Sequence, residues 1–366
     1  MLSKANNNRL LFMEVSALTL FGLLMVYSAS MVVADHRGNP AYYFVRQSLY
    51  AAVGYVFMIL LMFFDYHLWL KQRTITFLAT LSAATLILVF SQPSTKGSHR
   101  FLDVGPISFQ PSEIAKLMIL FYLAFYLQNH QPEVQEPRFR PLACLMFLGL
   151  FVGLIGIEPD FGQAFFIIVI AFLLFFIAGL DRRYLRRSIS FLVPAFFLFI
   201  LISRYRRGRV SVWLDALLHV IKAPYHARHS GIAVGRGGLI GVGFGNSRQK
   251  FLFLPEAFGD FIYAVIGEEF GLIGSVLIAA AFLGYLYWGV KISIKAPDTG
   301  GLYLGLGITL MVTLQAFIHI SSVLSIIPTK GLTLPFISQG GSSLFVCLLA
   351  TGILFNISSQ RKTNEG

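Results

Sequence analysis

The chain has 366 residues, of which 56% are hydrophobic and only 13% charged, with a mean hydropathy of +0.71; a soluble domain of this length could not bury so much apolar surface. The formal net charge is +12. Its basic residues stand at the edges of apolar runs and in one long loop, which suits membrane phosphates and argues against a nucleic-acid partner.

Ten apolar runs are read as membrane helices. They are about Leu10–Val33, Tyr50–Phe64, Thr74–Phe90, Ile114–Leu127, Leu142–Ile157, Ala164–Leu180, Ile189–Ile202, Phe261–Val290, Leu302–Ile327 and Ser343–Ile357. The runs are continuous rather than alternating, which argues against a β-barrel. The first is too long for the core of a cleaved leader, and no small-residue cleavage site comes after it, so it reads as a retained span. Several cores are short, which requires snorkelling flanks or close packing.

Basic residues set the orientation. With the N-terminus in the cytoplasm, fourteen Lys and Arg fall on the inside segments and six on the short outside loops, so both termini are expected inside. The predicted fold is all-α: one polytopic membrane domain over residues 1–366, with about ten helices. A large extracytoplasmic loop, residues 203–260, joins helices 7 and 8. At about 58 residues it far exceeds an ordinary connection. It opens on Arg204, Arg206, Arg207 and Arg209, continues through Trp213, and ends in a glycine-rich cationic stretch. Trp213 and its apolar patches favour an ordered, membrane-apposed structure.

The stretch Gly235–Gly274 carries the densest chemistry. Six glycines precede Arg248 and Lys250; then come Pro255, Glu256 and Asp260, and an apolar helix begins. Asp260 stands at or near a helix N-terminus, where a carboxylate accepts backbone N–H bonds and stays ionised. Two readings stay open: a helix cap, or a general base at the bilayer edge. Glu256 could hold a hydroxyl, or pair with Arg248 or Lys250 at the surface. Glu268 and Glu269 lie two turns into a span, where carboxylates face the bundle interior with a partner; a structural role is favoured over catalysis.

Two further loops contribute. KGSHRFLDVGPISFQPSEIAK gathers Arg100, Asp103, Gln110, Ser112 and Glu113 before a span. Arg100 is a candidate phosphate ligand or a positioning partner of Asp103 or Asp160. PTKGLTLPFISQGGSSL brings Lys330, Ser342 and Ser343 to the membrane surface; the serines could start the last helix and offer N–H groups to an anion.

Other motifs fail on inspection. The glycine run lacks the Walker lysine–serine pattern and any βαβ setting. His219, His226 and His229 lack the cysteines or carboxylates of a zinc site, so no metal ligands are assigned. Cys144 and Cys347 fall inside apolar runs and read as small buried hydrophobes. No Gly-x-Ser-x-Gly elbow is present.

The blocks together resemble the SEDS family (FtsW/RodA/SpoVE), the glycosyltransferases of bacterial cell walls. The matching motifs are YSAS at Tyr27–Ser30, Arg46-Gln47, Gly97 with Arg100, and GPISFQPSEIAK at Gly105–Lys116. They continue with PDFG at Pro159–Gly162, GxGxGNSxQKxxxLPEA at Gly241–Ala257, DFIYAVIGEEFG at Asp260–Gly271, and PTKGLTLPFIS-GGSS at Pro328–Ser343. The PTKG lysine and the GNSxQK stretch look more like the division branch, FtsW, than the elongation branch.

The resemblance implies ten transmembrane helices and a peptidoglycan polymerase of the bacterial cytoplasmic membrane, working at the division septum. Lipid II would be the substrate. A class B penicillin-binding protein and other division-complex membrane proteins would be the partners. The motif aspartate maps onto Asp260 as catalytic base. Glu256, Lys330, Arg100, Arg46, Lys250, Ser342 and Ser343 are expected at the substrate. A divalent cation, Mg or Mn, is the candidate cofactor. The chain departs from the family at Phe258 and Gly259 (usually His-Thr), Phe101 (Trp), Gln339 (Tyr) and His319 (commonly Asn), which bears on hydrogen bonding near Asp260. Two other functions fit the residues: a lipid II flippase or transporter, suggested by Glu268 and Glu269, and a non-catalytic scaffold that recruits a transpeptidase.

Overall fold

Inside a bilayer a continuous apolar run can satisfy its backbone only as a helix, and the computed structural model of the chain is mostly helical. It describes residues 2–36, 38–91, 100–104, 107–134, 141–158, 160–181, 225–251, 253–328 and 331–360, with a few isolated positions from 136 to 213. The predicted span at about Ile189–Ile202 lies almost wholly outside the described residues, as do Arg204, Arg206, Arg209, His219 and Lys330.

In chain order the helices are α1 (Leu2–Asp35), α2 (Tyr42–Phe63), α3 (Gln72–Leu88), α4 (Pro111–Asn129), the single turn α5 (Gln131–Val134), α6 (Leu142–Ile157), α7 (Phe161–Ile177), α8 (Tyr225–Gly237), α9 (Ile262–Ser293), α10 (Thr299–Val323) and α11 (Gly341–Ser359). Six of them (α1, α2, α3, α9, α10 and α11) are long and apolar enough to cross a membrane, and α6 and α7 are shorter apolar helices. Local chemistry sets several ends. Pro111 opens α4 where no N–H is needed. Asp298 caps α10 by accepting from Gly301 N at 2.6 Å, and Asp160 caps α7 from Gln163 N.

The all-α expectation takes two amendments. A small antiparallel hairpin, β1 (Leu102–Val104) with β2 (Ile107–Phe109), pairs Leu102 with Phe109 before α4. The long segment before α9 is also not all loop: Tyr225–Gly237 forms the 13-residue α8. Upstream, Trp213 Nε1 donates to the Ser325 carbonyl beyond α10.

The bundle has a centre and two distinct ends. In the apolar windows of α10 and α11, 72% and 83% of residues are buried, against 22% for α2 and α3, so the last two helices form the middle and α2 and α3 face outward. At one end Gln47 meets Ser338, Tyr50 meets Ser108 and Gln110 meets Ser342 and Asp160. At the other, His67 lies between Asp65 and Asp298. Asn356 there bonds Tyr66 and Met62, and Ser358 reaches Asn8. The two chain ends therefore share one face of the bundle, and Asp260 belongs to the opposite one.

Candidate active site

The site begins with a broken helix. Gly271 sits inside α9 at φ 67°, ψ −162°, a left-handed-side conformation that only glycine adopts without strain. In an unbroken helix Leu272 N and Ile273 N would donate to the carbonyls of Glu268 and Glu269. Instead they donate to Gly238 O and Leu239 O, at 2.9 and 3.1 Å. The freed carbonyls accept from Val242 N and Gly243 N, both at 3.0 Å. The glycine run thus replaces a missing turn of helix, and every exchanged backbone group keeps a partner. A Cβ at Gly241 would strike the Glu269 carbonyl, and one at Gly271 the Gly241 nitrogen. The run is glycine-rich for close approach, and it is docked rather than free.

Two carboxylates anchor the segment between the glycine run and Asp260. Glu268 accepts from Ser247 Oγ (2.5 Å), Arg248 N (3.1 Å), Gln249 N (3.2 Å) and Arg236 Nη1 (3.3 Å). Glu269 accepts from Lys250 Nζ and Ser28 Oγ, both at 2.8 Å. Lys250 is 1% exposed. It also donates to the Gly245 carbonyl at 2.6 Å and to Ser28 Oγ at 2.9 Å, so its three N–H bonds are used. Two buried charges this deep are tolerable only because both are paired and hydrogen-bonded.

The chain then turns through Glu256, a non-glycine residue at φ 54°, whose carbonyl accepts from Gly259 N at 3.0 Å. Residues 258 and 259 are clamped from the α10–α11 connection. Phe258 O accepts from Gln339 N at 2.9 Å, and Gly259 O accepts from Ser338 Oγ at 2.8 Å. Gln47 of α2 holds the clamp from behind: it donates to Ser338 O at 3.1 Å and accepts from Gly340 N at 3.3 Å. The Phe258 ring packs on Tyr43 with centroids 4.6 Å apart. Asp260 emerges from this clamp, half-buried. The N-cap of α9 is Phe261, one residue later, with no side-chain capping bond; Asp260 therefore stands next to the helix start, as expected. It lines a small cavity with Phe261, His319, Ser322, Gly331 and Leu332.

A second polar cluster lies at the same end. Arg100 is near enough to Glu158 and Asp160 for its charge to pull both carboxyls downward. Burial works the other way and wins. It pushes Glu158, whose two oxygens find no hydrogen-bond partner among the described residues, up to about 8, and it raises Asp160 as well. Gln110 Nε2 donates to Asp160 Oδ2 at 3.0 Å. Further inside, Lys116 pairs with Glu113 and donates to Gln315, both at 2.9 Å. Gln315 in turn reaches Thr333 O at 2.9 Å. Among the described residues no group of three or more His, Cys, Asp or Glu could hold a metal ion.

The FtsW/RodA/SpoVE family, described as "Cell cycle protein", matches residues 8–363. The chain belongs to the FtsW/RodA/SpoVE family. A "Probable peptidoglycan glycosyltransferase FtsW" of Geobacter sp. (strain M18) is 35% identical over 355 residues, 96% of this chain and 97% of that one. "Stage V sporulation protein E" of Bacillus subtilis (strain 168) is 34% identical over 363 residues, 98% and 99% of the two chains. Two solved structures share the fold. One, described as "Structural coordination of polymerization and crosslinking by a peptidoglycan synthase complex", has a TM-score of 0.78 at 23% identity and covers 97% of this chain and 98% of that chain. The other, a Thermus thermophilus rod shape determining protein RodA, has a TM-score of 0.68 at 24% identity and covers 97% of each.

In this FtsW/RodA/SpoVE-family chain the expected site residues divide. Asp260 lines the cavity. Glu256 is exposed a short way before it in the chain, and Arg46 is half-buried next to the clamping Gln47. Arg100 joins the Glu158–Asp160 cluster, in line with the reading of it as a positioning partner of Asp160. Lys250, expected at the substrate, is sealed in the Glu269 pair. Ser342 and Ser343, expected to offer an anion site, are 5% exposed and tie elements together. Ser342 Oγ accepts from Gln110 N at 2.9 Å, and Ser343 Oγ accepts from Thr333 Oγ1 at 2.8 Å. Lys330 lies outside the described residues. Sequence reading overlooked Gln47 as the brace of the clamp and His319 as a wall of the cavity. Each sat inside a quoted motif or departure, but nothing local tied it to Asp260.

Proposed function

We propose that the chain polymerises peptidoglycan glycan strands from lipid II at the outer face of the bacterial cytoplasmic membrane, in septal wall synthesis during division. Ten membrane helices with both termini cytoplasmic fit this reading: the two chain ends share one face, and the basic bias puts that face inside. Asp260 then looks outward. Curated relatives across nearly the whole chain bear the glycosyltransferase name.

The single observation that carries the mechanism is the backbone clamp on Phe258 and Gly259, which presents one carboxylate at the mouth of a cavity. Asp260 accepts the proton of the acceptor sugar's hydroxyl while that oxygen attacks the anomeric carbon of the donor and inverts it. A carboxylate cannot ionise an alcohol in advance, so proton transfer is concerted with departure of the polyprenyl pyrophosphate. The leaving group's charge is met by cations: Arg46 and Arg100 at this end of the bundle are candidates, and Lys330 is a candidate from the family resemblance alone. A divalent cation, Mg or Mn, stays the candidate cofactor, although among the described residues no group of three or more His, Cys, Asp or Glu gathers to hold one. Any Mg or Mn would arrive with the pyrophosphate.

Glu268 and Glu269, the feature that favoured a translocase, are occupied in anchoring the glycine loop, which supports polymerisation over lipid flipping. A class B penicillin-binding protein is the proposed partner. Purified protein given lipid II in detergent tests the reading: a polymerase makes glycan there, and a flippase or scaffold does not.

A further inference from the structure

His319 is 2% exposed, on α10. Its Nδ1 lies 2.7 Å from the Leu332 carbonyl oxygen. A carbonyl only accepts, so Nδ1 carries the proton and Nε2 is left as a lone pair. Nε2 is buried and finds no hydrogen-bond partner among the described residues, which is rare for a buried polar atom and calls for a reason. The ring and Asp260 line the same cavity, together with Ser322. That cavity measures about 10 Å³, room for roughly one water. Its polar side-chain walls are then a carboxylate, which accepts when it serves as the base, an imidazole nitrogen, which only accepts, and a serine hydroxyl, which can donate. One water matches this set: it donates one hydrogen to Asp260 and the other to Nε2.

We propose that His319 is a positioning residue for Asp260: through a single water seated in their shared cavity, its Nε2 lone pair fixes the orientation of the carboxylate. The carboxylate accepts from that water on the cavity side and is thereby turned toward the acceptor hydroxyl. The Leu332 carbonyl acts in turn by setting the tautomer that makes Nε2 the acceptor. The inference rests on Asp260 serving as the base.

Two variants test it by kinetics of glycan synthesis from lipid II. His319→Phe keeps the ring's bulk and removes the lone pair. The expected result is a fall in kcat of about tenfold or more, with KM within twofold and Tm within a few degrees of wild type. His319→Gln carries an amide oxygen to the Nε2 position and is expected to restore kcat to within about threefold. A His319→Phe enzyme with kcat within twofold of wild type overturns the proposal. So does a loss that appears in KM or Tm instead, or a Gln variant as poor as Phe. Asp260→Asn assayed alongside separates the two readings. If it still polymerises, the base assignment fails and His319 falls with it. If it is inactive while His319→Phe is normal, only the His319 role is lost.

Discussion

Lys250 and Glu269 are 19 residues apart in sequence and 2.8 Å apart in space, both essentially sealed from solvent. Their contact ties the GNSRQK loop to the helix just before its break at Gly271. The same loop runs on through Glu256 to Asp260, so a buried ion pair sets where the candidate base is delivered.

Removing one partner of such a pair leaves a buried charge without compensation. Lys250→Met is expected to destabilise the protein by roughly 3–5 kcal/mol, read as a lower Tm of the detergent-purified protein. The double variant Lys250→Met, Glu269→Leu should recover part of that loss, because no orphan charge remains. A single variant as stable as wild type would contradict the structural role assigned to this lysine.

The helix break makes a separate demand. Gly271→Ala meets both a positive φ and the Gly241 nitrogen, so neither the backbone nor the neighbour can yield cheaply. A loss of roughly 2 kcal/mol or more is expected, with activity falling because the exchanged backbone bonds carry the loop. A fully active, fully stable Gly271→Ala protein would argue that the break is incidental.

Gln47 braces the clamp from α2 with both ends of its amide. Gln47→Leu keeps the bulk and removes both bonds, for an expected cost of about 1–3 kcal/mol and a larger effect on kcat than on lipid II affinity. Steady-state kinetics beside a binding measurement would check this. An unchanged kcat would mean Asp260 is held well enough without the brace.

Glu158 gives a pH signature. Its folded pKa is raised by burial to about 8 from an ordinary 4.5, with the Asp160 charge adding and the Arg100 charge opposing. A raised folded pKa means that the group's contribution is fully present below the unfolded value and is lost as pH rises through about 8. Wild type should therefore lose stability progressively between about pH 4.5 and pH 8. Glu158→Gln, which cannot ionise, should flatten that limb while matching wild type near pH 4. Parallel Tm curves across this range would reject the assignment.

Much of this was legible from residues alone, for identifiable reasons. Apolar runs marked most helices because the bilayer leaves a backbone no other option, and α9, α10 and α11 fall where hydropathy put them. Asp260 stood out because a carboxylate comes after a glycine-rich cationic stretch and precedes a span. The role of the glycine loop was not legible: read locally, six glycines and two cations do not show what they pack against. The turn of helix they replace belongs to Glu268–Ile273, some thirty residues on. The signal was there in GEEFG, two carboxylates and then a glycine within an apolar run, a pattern that needs both partners and a break. Lys250 looked like a substrate ligand because charge near a membrane surface suggests phosphate; only the fold turns it inward. Ser342 and Ser343 were read as a helix start, and α11 does begin at Gly341, but their hydroxyls face Gln110 and Thr333 across the bundle, contacts that local sequence does not encode.

The central claim is that Asp260 takes the acceptor's proton, and its most direct test is glycan-strand synthesis by purified Asp260→Asn protein supplied with lipid II. The account predicts no polymer above background, from a protein that inserts, melts and binds lipid II as wild type does. Near-normal glycan synthesis by that variant would contradict it.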